Sequence, residues 1–308
     1  MLDSPTVKKT DIRRWPSGPS PVVRVAQFGL GALCTLTACG ALPTSAPADA
    51  ERLAAELARR PGVLLGEVHD NVGQHGLRAE ALRRLLANGA RPAIAFEQFD
   101  RERQPDIDRA RRERPPAGGS LADHVIAQAR APKDNWDWPQ YRRFLELALQ
   151  FDLPIVAANL SRADASRVAR EGVAAVFAEP ERRRLGLDRI DDALQSAHER
   201  IAQTAHCNLL PTSALPGLAR AQIARDAVLA QALRLHLAGG VVLLTGNGHV
   251  RRDVGVPRHL TADERSQTWS IGLLEQGTDE RAKLYDVAFL TPEQPRADPC
   301  AQLKPRSS

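Results

Sequence analysis

Four short apolar runs, each followed at once by polar or ionisable residues, constrain this chain more than any other feature. They are Val63-Leu64-Leu65, Ala93 to Phe96, Pro154 to Ala158 and Val241 to Thr245. Runs this short, opened by Pro or Gly, read as buried strands rather than helices. Between them lie stretches with helical spacing: 51–60, 75–88, 141–151 and several within 161–235, the last broken by Pro180, Pro211 and Pro216. Residues 101–140 are polar and Pro-rich, predicting an irregular or small helical insertion. Strands alternating with helices predict an α/β fold, a mostly parallel sheet flanked by helices. Two further strands, Trp269 to Leu274 and Tyr285 to Phe289, surround a turn at Gly277 and predict a hairpin.

The residues after the four runs carry the chemistry. The first leads into Gly66-Glu67-Val68-His69-Asp70-Asn71, the second into Glu97-Gln98, the third into Asn159, and the fourth into Gly246-Asn247-Gly248-His249. Parallel strands share one carboxyl edge, where such sheets bind ligands. Glu67, His69, Glu97 and His249 are therefore expected in one crevice. His69, His249 and Glu97 suit a divalent metal, and Glu67 suits a general base acting on metal-bound water. That set would be the catalytic group of a metal-dependent hydrolase. The competing reading has the histidines capping strand ends through backbone hydrogen bonds.

Other residues stay open. Arg225-Asp226 reads as a surface ion pair or a site element. His206-Cys207 reads as a ligand pair or core, and His75 can face the crevice. Trp136, Trp138 and Tyr141 cluster in a chain that is 4% aromatic, as a satellite core or as a platform for a flat ligand.

The N-terminus reads as an export signal. Basic residues 8–24 precede an uncharged apolar stretch, 25–38, and then Leu36-Thr37-Ala38-Cys39-Gly40, which resembles a bacterial lipoprotein cleavage box. The expected organisation is a signal peptide over 1–38, a flexible tether over 39–50 beginning at a lipidated Cys39, an α/β domain over 51–291, and a loose tail over 292–308. A lipid on Cys39 would anchor the domain to a membrane, in the outer-membrane sorting pattern and facing the periplasm. That compartment permits a Cys207–Cys300 disulfide. Of the net charge of +5, Lys8, Lys9, Arg13, Arg14 and Arg24 against Asp3 and Asp11 place +3 in the signal, which argues against a nucleic-acid partner. No apolar run other than the N-terminal one approaches a membrane span, so a polytopic membrane protein is excluded.

Taken in order, LLGEVHDN (64–71), IAFEQF (94–99), the WDWPQY region, IVAANLSR (155–162), AHCNLLP (205–211), AQIARDAVLA (221–230) and VVLLTGNGHVRRDVGVPRHL (241–260) resemble the ChaN family of haem-binding lipoproteins. That family looks like a distant relative of the Tiki/TraB and erythromycin-esterase-like proteins, which include metal-dependent hydrolases. The resemblance implies non-covalent haem as cofactor and a role in iron or haem acquisition. Partners would be the haem, the membrane, and either a second copy of the chain or an outer-membrane haem receptor. It also implies a tyrosine on the iron. Tyr141, in the aromatic cluster, is preferred over Tyr285, with His69, His249, Asn159 and Arg225 as further haem-contacting candidates. The metal-dependent hydrolase is the alternative function.

Overall fold

The computed structural model describes residues 46–47, 49–113, 115, 117–131, 136–298 and 300–301. Cys39 and residues 1–38 lie outside that range. Among the described residues, seven strands form one sheet in the order β1-β7-β6-β2-β5-β3-β4, and every pairing is parallel. They are β1 (Ala46–Pro47), β2 (Gly62–Leu65), β3 (Ala93–Asp100), β4 (Ile155–Asn159), β5 (Val241–Leu244), β6 (Thr268–Glu275) and β7 (Val287–Thr291). The α/β class and the parallel sheet are as expected, and β2 to β5 fall on the four apolar runs. All four core residues of β2, and all four of β5, are buried, as strands covered on both faces require.

Among the described residues, eleven α-helices connect or cover the sheet: α1 (Ala50–Leu57), α2 (Val72–Ala87), α3 (Gln104–Ala110), α4 (Leu121–Gln128), α5 (Trp138–Gln150), α6 (Arg162–Glu171), α7 (Glu179–Leu185), α8 (Asp192–Ala205), α9 (Leu215–His236), α10 (Asn247–Val250) and α11 (Ala262–Ser266). Alternation along the strands divides the core. Val63, Leu65, Ile94, Phe96, Val242 and Leu244 pack with α1, α2 and α5 on one face. Leu64, Ala95, Val241 and Leu243 pack with α9 on the other. A third cluster joins α6, α7, α8 and α9 into a helical layer beyond the sheet. Among the described residues, no helix is long and apolar enough to cross a membrane.

The expected hairpin is corrected. β6 and β7 pair in parallel, with Ile271 opposite Val287 and Glu275 opposite Thr291. Residues 276–286, with a 3-10 turn at Asp279–Leu284, carry the chain back along the sheet, so Gly277 starts a crossover and Tyr285 precedes the strand. The prolines also act differently from the expectation. Pro180 and Pro216 sit in the first turns of α7 and α9, where a missing N–H costs nothing. Pro211 is the N-cap of a 3-10 turn.

The tail is tied down as far as Ala301. Arg296 makes paired hydrogen bonds to both carboxylate oxygens of Asp70 and of Glu275, at 2.8–2.9 Å. The Gln294 N–H donates to Glu275, and Cys300 is disulfide-bonded to Cys207. The expectation of a loose tail therefore does not hold over its described part, because two acidic side chains and a covalent bond oppose its chain entropy.

Candidate functional site

The loop after β2 builds the first half of the site. Glu67 is 1% exposed and gathers four side chains. Tyr141, from α5, donates its hydroxyl to Oε1 of Glu67. Nδ1 of His69 lies 2.9 Å from the same oxygen and 3.3 Å from the Tyr141 hydroxyl. On the other side, Oε2 meets the Arg78 guanidinium and, at 3.3 Å, His75 Nδ1. Arg78 is fully buried, donates to the Leu65 carbonyl at 3.0 Å and stacks over Phe144. Burial lowers its pKa to about 10, which leaves it charged at neutral pH.

His69 stands at the mouth of this network. Close to half of its side chain (47%) is exposed, and the Trp136 ring meets it edge-on at 5.0 Å. Burial of the other half, the largest cause, holds its pKa below the ordinary value against the pull of Glu97. The ring is therefore neutral. With a carboxylate on Nδ1, the proton sits there and the Nε2 lone pair is left over. Nε2 lies above Gly246, where a Cβ would come within 2.7 Å. Only glycine leaves that nitrogen room, so Gly246→Ala is expected to displace the imidazole and weaken whatever ligand it holds, while the stability of the fold changes little.

β3 and β5 supply the second half. The β3–β4 register shifts between Phe96 and Asp100, and within that stretch Glu97 reaches the end of β5. Glu97 accepts from Thr245 Oγ1 at 2.6 Å and from the Gly246 N–H at 3.0 Å. Its other oxygen lies 3.2 Å from His249 Nε2, and His249 Nδ1 lies 2.6 Å from Asp226 on α9. His198 lies beyond Asp226, at 3.9 Å. Burial alone would lower the His249 pKa. The two flanking carboxylates overcome it and raise the value to about 10, so His249 is an imidazolium held between Glu97 and Asp226. Burial likewise opposes ionisation of Glu97, and His249 prevails, drawing its pKa well below the carboxylate range.

This arrangement predicts an alkaline loss of stability. The folded pKa of His249 exceeds its ordinary 6.5, so its contribution is complete below about that pH and is lost as pH rises through about 10. Within the window the slope is about 1.4 kcal/mol per pH unit. Urea unfolding between about pH 7 and about pH 9 should show this decline, and His249→Gln should flatten it. Equal stability of the wild type across that range would contradict the buried imidazolium.

Placement of the sequence candidates is thus mixed. Glu67, His69, Glu97 and His249 do meet at one edge, with Gly246 between the two halves: its N–H binds Glu97 and its Cα faces His69. Both nitrogens of His249 are taken by carboxylates, however, and Glu97 is spent on His249, Thr245 and Gly246. Among the described residues, no group of three His, Cys, Asp or Glu side chains is arranged to hold a metal ion. The expected divalent-metal set of His69, His249 and Glu97 therefore has no preformed centre.

Tyr141 is 1% exposed in the main core, and burial raises its pKa. It stands behind His69 as a hydrogen-bond donor to Glu67, within the aromatic cluster in which it was expected. Tyr285 is also buried (2%), and burial pushes it up to about 12. Trp138 belongs to the same core as Tyr141, so the aromatic cluster is mostly packing, with Trp136 its half-buried outer edge.

Asn159 donates to Asp100 and accepts from Arg225, which joins the end of β4 to α9. Asp226 is 1% exposed and bound to His249, not part of a surface ion pair. His75 is buried behind His69, its Nε2 2.9 Å from the His69 carbonyl, and does not face the crevice. His206 caps the end of α8 through the Ala202 carbonyl, and Cys207 is in the disulfide. Arg78, Thr245, Gln222 and His198 were not singled out from the sequence. A signal existed for Arg78: Gln74, His75 and Arg78 continue the helical stripe of Ala81, Leu82 and Leu85, and all six are buried.

For a haem, the donor set at the crevice mouth fits. A neutral imidazole with a carboxylate behind it and a free Nε2 is a ligand type for haem iron, and Trp136 offers an apolar edge beside it.

Residues 53–260 match the family described as haem-binding uptake, Tiki superfamily, ChaN. No curated protein matches the chain significantly. Among solved structures, the chain is similar to ChaN of Campylobacter jejuni, described with cofacial haem binding. The TM-score is 0.61 at 22% identity, over 77% of this chain and 90% of that one. An erythromycin esterase in its open conformation is a more remote likeness, with TM-score 0.43 and 13% identity over 74% of this chain and 72% of the other.

Proposed function

The chain belongs to the haem-binding uptake family ChaN of the Tiki superfamily, and from that premise we propose that its α/β domain binds haem non-covalently at the carboxyl edge of the sheet, with His69 on the iron. The observation that carries this reading is the His69 imidazole: half exposed, neutral, with Nδ1 held by Glu67 and Nε2 beside Gly246 without a hydrogen bond among the described residues. Glu67 would orient the ring and strengthen it as a donor, and Tyr141 and Arg78 would hold Glu67 in place. The haem itself supplies the iron chemistry.

The test is a haemin titration of the domain followed at the Soret band. His69→Ala is expected to abolish the ligand-field signature of a bound histidine. Tyr141→Phe removes only one donor to Glu67 and should keep it, with affinity lowered about two- to tenfold by the net worth of one hydrogen bond. If Tyr141→Phe abolishes the signature and His69→Ala does not, the assignment is overturned in favour of a phenolate ligand.

The biological setting is part of the same proposal. Cys39 would carry the lipid that anchors the protein in the cell envelope, at the outer membrane facing the periplasm, for haem or iron acquisition. The Cys207–Cys300 disulfide supports a compartment outside the cytoplasm. Cys39→Ser should block processing, and normal gel mobility and membrane fractionation of that variant would count against it. The cofacial binding described for the C. jejuni protein would require two haems face to face here, so haem stoichiometry and sedimentation belong in the same experiment.

A second reading rests on the same pair of residues. A neutral His69 backed by Glu67 can take a proton from water, as a hydrolase requires. Hydrolysis of an ester probe that is lost in His69→Ala and blocked by haemin would favour it.

A further inference from the structure

A cavity of about 430 Å³ lies between α6, α8 and α9, beside the crevice. Its floor is apolar, with Ala165, Ala169, Ile201 and Leu218. Its ionisable lining is wholly basic or imidazole: Arg162, Arg225, His198 and His206, with no aspartate or glutamate. Gln222 belongs to the same wall and lies 3.3 Å from His249, so the cavity adjoins the strand-end site.

Arg225 is the unusual group. It is half-buried, and its hydrogen bonds go to two neutral amides, Asn159 Oδ1 and Gln222 Oε1, each at 3.2 Å. No ion pair to it occurs among the described residues, whereas Arg101, Arg111, Arg182 and Arg251 each meet a carboxylate. The nearby carboxylate, Asp100, is reached through the Asn159 amide rather than by direct contact, and only Nε and Nη1 of the five-donor fork are hydrogen-bonded among the described residues. Arg162, exposed at the first turn of α6, also has no ion pair among the described residues and faces the same cavity. A planar fork of donors over an apolar floor is suited to a carboxylate attached to a hydrophobic body.

We infer that this cavity is a carboxylate subsite: Arg225, helped by Arg162, binds the propionate groups of the tetrapyrrole whose iron meets His69. The inference rests on the haem reading above and adds the residues that fix the orientation of the ligand. The topology is consistent with it. His69 follows β2 and Asn159, the anchor of Arg225, ends β4; in the order β2-β5-β3-β4 these are three strand spacings apart, about 14 Å. Both ends lie on one edge, so a single flat ligand spans the crevice from its iron at His69 to its carboxylates at Arg225.

The test uses iron-free protoporphyrin, followed by its fluorescence, so that iron ligation plays no part in the readout. Wild type should bind the diacid at least tenfold more tightly than its dimethyl ester, the worth of a charge-assisted contact. Arg225→Gln and Arg162→Gln should each weaken the diacid and leave the ester unchanged. Arg225→Lys, which keeps the charge, should recover part of the loss. Arg162→Gln lies at an exposed position and covers the case in which Arg225→Gln disturbs folding. Equal binding of diacid and ester by wild type, or diacid binding indifferent to both arginines, overturns the subsite alone. A wild type that binds haemin through His69 but no iron-free porphyrin also overturns it. Failure to bind haemin or porphyrin at all overturns the haem reading with it.

Discussion

Arg78→Met should lower the free energy of unfolding by about 3–5 kcal/mol, the cost of breaking a buried ion pair by removing one partner. Arg78 and Glu67 are both inaccessible to water, and among the described residues the guanidinium is the only permanent positive charge against that carboxylate. Without it, Glu67 keeps the Tyr141 hydroxyl and two neutral imidazoles, which cannot balance a full charge at low dielectric. Burial lowers the pKa of both His69 and His75, so neither protonates readily to replace the lost cation. Methionine fills similar volume against Phe144, which limits the packing loss. Arg78→Met combined with Glu67→Gln should recover most of the stability, because no buried charge then remains. Urea unfolding of the two single variants and the double variant makes the comparison. A loss below about 1 kcal/mol in Arg78→Met, the range of an exposed pair, would mean that the pair is hydrated in solution.

Removal of the disulfide is the second large effect. Cys207 and Cys300 are 93 residues apart, and a cross-link over so long a loop restricts the unfolded chain strongly. Cys207→Ser with Cys300→Ser should cost about 2–4 kcal/mol. The same loss should appear in wild type on reduction, and the double variant should be insensitive to reductant. The consequence reaches the site, because the segment leading to Cys300 includes Arg296, whose guanidinium holds Asp70, the residue after His69. The exposed Arg296 contacts contribute little by themselves. With the disulfide gone, hydrogen exchange should rise over 292–301 and in the Val68–Asn71 loop. Unchanged protection of that loop would show that the strap and the His69 segment are independent.

Much of the fold was legible in local pattern. Short apolar runs bounded by Gly and Pro became β2 to β5, and helical spacing became α1, α2 and α5 within a few residues. The β6–β7 pair was misread because two adjacent strands around a glycine look alike whether the chain reverses or crosses over. The eleven intervening residues form a short 3-10 crossover that leaves no periodic signature. The polar residues after each run were legible for the same reason as the strands: in a parallel sheet, chain direction alone brings the carboxyl ends to one edge.

The sequence by itself therefore determined the fold class and which residues share an edge, since both follow from periodicity and strand direction. The tertiary structure alone decided how those residues are used. Asp226 comes from α9, and its local sequence does not distinguish it from the solvated Asp253; Arg78 continues the buried stripe of α2, but nothing local shows that it meets Glu67, where Arg84 of the same helix stays at the surface. Burial is set by what packs above a helix face, and a pKa by which charges the fold brings within a few ångströms. His69 and His249 follow glycine-containing strand ends of the same kind, yet one is neutral and half exposed while the other is a buried cation between two carboxylates. That difference arises from Asp226 on α9 and Glu97 on β3, elements distant in the chain, and so is a property of the assembled structure.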